Sequence, residues 1–295
     1  MFTDGPVTPM RVETLVELLR QLSRRKFDRS KILRLLQPEA LPEVKSGSKR
    51  DQAVATLKAA HELGLITEEE GGSLKLTFEK NDPRTTNMIV LEALDERVLG
   101  GSTEPEPYFA LFYSYLLSLG EKGGREKSGN DWEIEFVRDV FGGQHQPNPF
   151  NPTKYIGLRR WFRYAGLGWH DGADVFQPNP FERLMRRLPL IFGGRGELRG
   201  EEFMAGLGQK CPELDGGEIF RRAARDWSPD HKTCTLGLSQ ALIELHLEKK
   251  IRLLCPQDSR GWSIAKAAPP RDDTLKSDKI EVIELLAGGK RRLES

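Results

Sequence analysis

The order in which helix-forming and strand-forming segments follow one another constrains this chain more than any single motif does. Near the start, Val12, Leu15, Leu18, Leu19 and Leu22 recur at helical spacing. Asp28 is placed to cap a second helix through Ile32, Leu33, Leu35 and Leu36. Pro38 and Pro42 interrupt the chain, after which Ser48 caps a third helix from Lys49 to Leu63. Gly64 stands where a left-handed C-terminal cap belongs. Leu65-Ile66-Thr67, a polar turn at Gly71-Gly72 and the alternating Leu74 to Phe78 then read as a β-hairpin. Three helices followed by a hairpin is the order of a winged helix-turn-helix domain.

The same order recurs. Helices are expected over Pro107–Leu119, Trp132–Phe141 and Thr153–Ala165, the last opened by Asn151-Pro152 and closed by Gly166. Leu167-Gly168-Trp169, the turn HDGAD and Val175-Phe176 make the second hairpin. A fainter third copy runs through Phe203–Leu207, Ile219–Ala224 and Leu236–Leu247, with Ile251–Cys255 pairing Trp262–Ile264 across PQDSRG. An amphipathic segment trails each hairpin: Ile89–Leu99, Phe181–Ile191 and Ile280–Leu286. A repeated structural unit accounts for this. The expected fold is mainly α with small β-hairpins, in tandem winged helix-turn-helix domains at 1–100 (with a trailing helix), 101–195 and 196–295.

Composition narrows the function classes. Lys+Arg 45 against Asp+Glu 44 leaves a net charge of +1, so a surface for nucleic acid must be local. The three cysteines, Cys211, Cys234 and Cys255, form no CxxC pair, which removes a disulfide framework or zinc knuckle. The opening MFTDGPVTPM lacks the basic and apolar regions of a secretory signal, and Tyr108–Leu119 is too short to span a membrane. A cytoplasmic setting and no membrane partner are expected.

A winged helix binds DNA by laying its third helix in the major groove, with basic residues on phosphates. Residues 20–58 carry 11 Lys/Arg against 4 Asp/Glu, much of it at Arg24, Arg25 and Lys26 and on the second helix. On the third helix Val54, Leu57, Ala60 and His61 share one face. Opposite lie Gln52, Ala55, Thr56 and Ala59, flanked by Lys49 and Lys58. Gln52 and Thr56 have the chemistry to read base edges. A small neutral face equally suits a protein partner, and Glu68-Glu69-Glu70 in the hairpin would repel phosphates.

The middle unit has the better DNA-reading helix. Leu158, Trp161, Phe162 and Ala165 share an inward face, and Arg159, Arg160 and Arg163 point away from it, with Lys154 at the start. Residues 154–199 hold 9 Lys/Arg against 4 Asp/Glu, with Arg183, Arg186 and Arg187 on the following helix. A solvated basic face is the commoner origin of such a cluster. In the third unit Leu238-Leu242-Leu245 and Leu236-Ile243-Leu247 form two apolar stripes, so that helix is expected to pack on both sides. Residues 81–140, with 6 basic and 12 acidic, interrupt any continuous phosphate track.

Other chemistry is not indicated. His231 and Cys234 lack a second tight metal-binding pair, Glu133 and Glu135 lack the context of a nuclease, and GGRGELRG lacks the lysine and hydroxyl of a P-loop. No nucleophile elbow surrounds any serine. The five tryptophans fall in or beside the helices and hairpins, where core packing is the commoner role. No catalytic residue, cofactor or metal is expected.

The opening GPVTP before a leucine-rich helix, the segment FNPTKYIGLRRWFRYAGLGW and the tandem layout resemble the protein DpdG family. That resemblance implies a non-enzymatic subunit in bacterial gene clusters that insert 7-deazaguanine derivatives into DNA and restrict foreign DNA. It also implies ATPase, helicase and nuclease partners in anti-phage defence. Those implications come from the resemblance alone and carry no catalytic residues. The expected function is a non-catalytic subunit associated with double-stranded DNA. Two alternatives stand beside it: a protein-interaction scaffold similar to the winged-helix subunits of SMC-type ATPases, and a winged-helix transcriptional regulator.

Overall fold

A computed structural model describes residues 7–22, 28–37, 49–69, 72–100, 106–125, 127–144, 146–170, 175–224, 227–258, 260–265 and 277–286. The helices are α1 (Pro9–Leu22), α2 (Arg29–Leu36), α3 (Lys49–Glu62), α4 (Thr86–Arg97), α5 (Pro107–Ser118), α6 (Gly129–Phe141), α7 (Pro152–Tyr164), α8 (Phe181–Phe192), α9 (Gly200–Lys210), α10 (Glu218–Ala223) and α11 (Leu236–Leu247). The strands are β1 (Ile66–Glu69), β2 (Ser73–Leu76), β3 (Gly168–His170), β4 (Phe176–Pro178), β5 (Glu197–Arg199), β6 (Ile251–Leu254), β7 (Trp262–Ser263), β8 (Lys279–Ile280) and β9 (Val282–Leu285). The chain is therefore mainly α with small antiparallel strand pairs, as the segment order implies. It divides into two compact units: one of Met1–Val98, Ser102–Pro107 and Thr153–Trp161, the other of Leu99–Gly101, Tyr108–Pro152 and Phe162–Ser295.

In the first unit α1 buries Val12, Leu15, Val16 and Leu19 along one stripe. Asp28 caps α2 as expected, accepting a 2.8 Å hydrogen bond from the Lys31 N–H. The Ser30 hydroxyl also donates to Asp28, and together these bonds hold its carboxyl below the ordinary range. Strands β1 and β2 pair in the hairpin register Ile66↔Leu76 to Glu69↔Ser73. Arg20 ties the end of α1 to the segment before α4. Its guanidinium donates to the Asp82 carbonyl at 2.7 Å and the Arg84 carbonyl at 3.1 Å. Charge counted as basic surface from the sequence is in part spent on this internal clamp.

Gly64 ends α3 at φ +68, and a Cβ built there would lie 2.2 Å from the Arg97 guanidinium carbon. Left-handed backbone costs a side chain about 1–2 kcal/mol. Gly64→Ala is therefore expected to destabilise the first unit by that amount, read as a lower urea midpoint with an unchanged slope.

The inward face of α3 differs from expectation. Ala53, Thr56, Leu57, Ala59, Ala60 and Leu63 are buried, whereas Val54 and His61 are exposed. In an alanine-rich helix the small residues fit either face, so the periodicity of a few larger ones does not fix its rotation.

In the second unit α5 is buried from Tyr108 to Leu117 and forms the centre of an aromatic core. Phe112 meets Phe136 edge-on at 5.0 Å, Phe150 at 4.7 Å and Trp132 edge-on at 5.9 Å. Helix α6 begins three residues before the expected Trp132, at a Ser128/Asp131 capping box, and ends at left-handed Gly142. Strands β3 and β4 pair from Gly168↔Pro178 to His170↔Phe176, and Phe176 seats the hairpin on Phe162 at 5.5 Å.

The third set of elements departs from the expected pairing. Strand β6 does not pair with Trp262–Ile264. It pairs with β9, Ile251↔Leu285 to Leu254↔Val282, within a three-stranded sheet ordered β5–β9–β6. Trp262 and Ser263 pair instead with Ile280 and Lys279. The segment Ile280–Leu286, expected as a trailing amphipathic segment, thus supplies the central strand. A short turn suggested the nearer partner, but the alternation of Val282 to Leu285 lets β9 bury Ile283 between two strands.

Helix α11 packs against α8, β6 and the 3-10 turn Gly120–Gly124, which covers most of its apolar surface within the unit. Gly237, at the start of α11, permits a close approach to α5 and β4: a Cβ there would lie 2.6 Å from Leu117 Cδ2 and 2.8 Å from the Pro178 carbonyl.

Candidate nucleic-acid interface

The strongest candidate surface lies on α7. Its buried side is Leu158, Trp161 and Phe162, all inaccessible to solvent. Burial of that stripe fixes the rotation of the helix and leaves Arg160 and Arg163 exposed. Arg159 is half-buried and lies over the Tyr155 ring at 5.2 Å, a cation–π contact that restrains its guanidinium. Lys154 is buried at 3% exposure and is not part of the solvent-facing set.

The remaining candidates separate in the structure. Gln52 on α3 is half-buried. Thr56 is 1% exposed, and its hydroxyl donates to the Gln52 carbonyl at 2.8 Å, so it is turned into its own helix and offers no edge to a base. Arg24, Arg25 and Lys26 lie outside the described residues, as does the Lys49 side chain at the start of α3. Glu68 and Glu69 are exposed on β1, and Lys75 lies 3.6 Å from Glu69. Glu70, and Asp171 and Asp174, the acidic residues of the second hairpin's turn that would also oppose phosphate, fall outside the described residues.

The basic residues of α8 are mostly committed internally. Arg183 is fully buried and donates to Glu213 at 2.8 Å, with both side chains at 0% exposure. Arg186 reaches the end of α7, donating to the Ala165 carbonyl at 2.7 Å and the Glu182 carbonyl at 3.3 Å. It supplies a cation to a helix C-terminus whose carbonyls lack intrahelical partners.

Around Arg183 lies a polar centre that local sequence reading does not reveal. Glu213 belongs to the buried loop between α9 and α10, and its backbone carbonyl accepts from the Ser114 hydroxyl at 2.7 Å. Asp215, two residues on, accepts from the Thr235 N–H at 2.6 Å and the Thr235 hydroxyl at 2.8 Å. Thr235 in turn caps α11 through the Leu238 N–H. Burial pushes the Asp215 carboxyl up to about 6, against the opposing effect of the Thr235 hydrogen bonds. Burial, reinforced by the charges of Glu213 and Asp215, also lifts the Tyr113 hydroxyl well above its ordinary range.

One surface feature contradicts its sequence-based expectation. Trp169 is 47% exposed, while Trp132, Trp161 and Trp262 are buried and Trp227 is half-buried. Strand alternation carried the signal: His170 packs on Phe176 at 5.4 Å, which sends its neighbour Trp169 to the other face. Among the described residues no group of three His, Cys, Asp or Glu side chains is placed to hold a metal ion. Glu135 instead pairs with Lys127. No helix among the described residues is long and apolar enough to cross a membrane.

No curated protein and no solved structure matches the chain. The profile of the DpdG-like family matches residues 3–259, which spans both the first-unit helices and the whole of α7. The chain belongs to the DpdG-like family, and with it to a multi-component Dpd-type DNA-modification system.

Proposed function

We propose that this protein is a non-catalytic subunit of its modification system, built on tandem winged helices, that contacts double-stranded DNA through α7. The observation that carries the reading is the pair of exposed guanidiniums, Arg160 and Arg163, on a helix whose opposite side is buried. A guanidinium binds phosphate through a planar fork, and a helix locked by its buried face presents that side chain from an already ordered backbone. The winged-helix reading draws support from the β5–β9–β6 sheet, fed by α11 and closed with its last strand in the middle. Restriction, anti-phage defence and ATPase, helicase or nuclease partners are part of this reading through the family.

The test is duplex binding across a salt series. Wild-type affinity is expected to fall steeply with salt. Arg160→Gln/Arg163→Gln should lower affinity and reduce the log–log slope by about 2, since each neutralised phosphate contributes ~0.9. An unchanged slope would remove α7 from the interface. A second reading suits the first unit: exposed Glu68 and Glu69 and buried Thr56 make it a poor match for phosphate and favour a protein partner there.

A further inference from the structure

We infer that Trp169 is a base-contacting residue that gives the protein a preference for DNA with unpaired bases. This rests on the reading of α7 as a DNA-contacting helix and adds to it a residue with different chemistry. Trp169 follows Arg163 by six positions in the chain, across the left-handed turn at Gly166. Its strand is seated firmly. Phe176 packs on Phe162, and Gly168, at φ +153, brings the strand so close to β4 that a Cβ would lie 2.1 Å from the Gln177 carbonyl. The indole is therefore presented from an anchored hairpin, with half its surface in water and only Gln177 directly across the ladder.

A large aromatic face held in solvent, six positions along the chain from the exposed Arg163, brings together the two chemistries that single-stranded nucleic-acid sites use. The cations neutralise phosphate and the ring stacks on a base, with little dependence on which base it is. Bases in an intact duplex are already stacked, so an indole gains this contact only where a base is free. The arginines set affinity for the backbone, and Trp169 discriminates between paired and unpaired DNA. A protein partner is the competing occupant, and the exposed Arg163 on the preceding helix makes nucleic acid the better chemical match.

The experiment uses the full chain, titrated with a blunt duplex and with the same duplex carrying a short single-stranded overhang, while tryptophan emission is recorded. Trp169 is the most exposed of the five tryptophans, so contact with a base should quench the solvent-exposed part of the emission. Trp169→Ala is expected to lose about tenfold affinity for the overhang DNA and less than twofold for the blunt duplex. Trp169→Phe should keep most of the preference, because a phenyl ring still stacks, while losing the quench. Circular dichroism of both variants checks the fold.

Salt-sensitive binding with no quench, or equal losses on both DNAs in Trp169→Ala, would overturn the inference and leave the α7 reading standing. Absence of salt-sensitive binding to either DNA would overturn both.

Discussion

Arg183→Met is expected to lower the stability of the second unit by about 3–5 kcal/mol, because it strips the partner from a carboxylate that has no access to water. Glu213 and Arg183 are both at 0% exposure and joined at 2.8 Å. Glu213 Oε2 is already buried without a hydrogen-bond partner, so losing Arg183 takes the carboxylate's charged partner as well. Taking two charges out of water is itself costly, and the pair is therefore weak as a net source of stability. Its asymmetry is the informative part. Removing one partner leaves a buried charge, whereas replacing both leaves a filled apolar volume.

Arg183→Met/Glu213→Met should accordingly recover most of the loss. For a unit of this size each kcal/mol moves the midpoint by ~2–4 °C, so the single variant should melt on the order of 10 °C lower. Urea denaturation followed by near-UV circular dichroism separates the cases. A double variant no more stable than the single one would mean that the side chains matter for shape and not for charge. What such a pair provides in place of stability is a unique arrangement: it joins α8 to the loop before α10, which no apolar contact would orient so specifically.

How much of this was legible in the sequence depended on the range of the interactions. Gly64, Gly142 and Gly166 end helices in left-handed backbone, and the signal for Gly64 and Gly166 is local, so both positions were readable. The buried stripe of α7 was readable because Leu158, Trp161 and Phe162 are large and periodic. The rotation of α3 was not, since alanines carry little preference for either face. Strand β6 has its partner across an intervening pair of strands, and no local turn signal reports a pairing of that separation.

Arg183 shows the same limit at the candidate site. By composition it belongs with Arg159, Arg160 and Arg163, and only the approach of Glu213, thirty residues later, separates a core ion pair from a basic surface. Trp169 failed for a different reason. A tryptophan in a predicted strand defaults to the core, and the alternation that exposes it depends on which neighbour, His170 or Trp169, meets Phe176.

Asp215→Asn is expected to flatten the pH dependence of stability between pH 4 and pH 7. The carboxyl is held at about 6 by burial, against an ordinary value of 3.8. An acid whose value is raised on folding binds its proton more tightly in the native state. Its contribution to stability is then full below the unfolded value and is lost as pH rises through the folded one. The loss for Asp215 runs from about pH 4 to just above 6 and amounts to about 3 kcal/mol, from a shift of roughly two pH units. Asp82 titrates in the opposite sense, pulled down to about 2 by Arg84, so its contribution is lost only below this window.

The difference between wild type and variant isolates the one group. At pH 4 the protonated Asp215 carboxyl can still accept from Thr235 at both oxygens, whereas the asparagine amide nitrogen cannot accept, so the variant should be the less stable protein at pH 4. By pH 7, where the wild-type carboxylate is charged and buried, that deficit should have closed by about 3 kcal/mol. Urea midpoints at half-unit steps of pH read this directly. Parallel curves for the two proteins would show that the charge is met by water or by a cation in solution. Convergence would establish that the cap of α11 is held by a group titrating near pH 6, which ties the start of that helix to the protonation of the core.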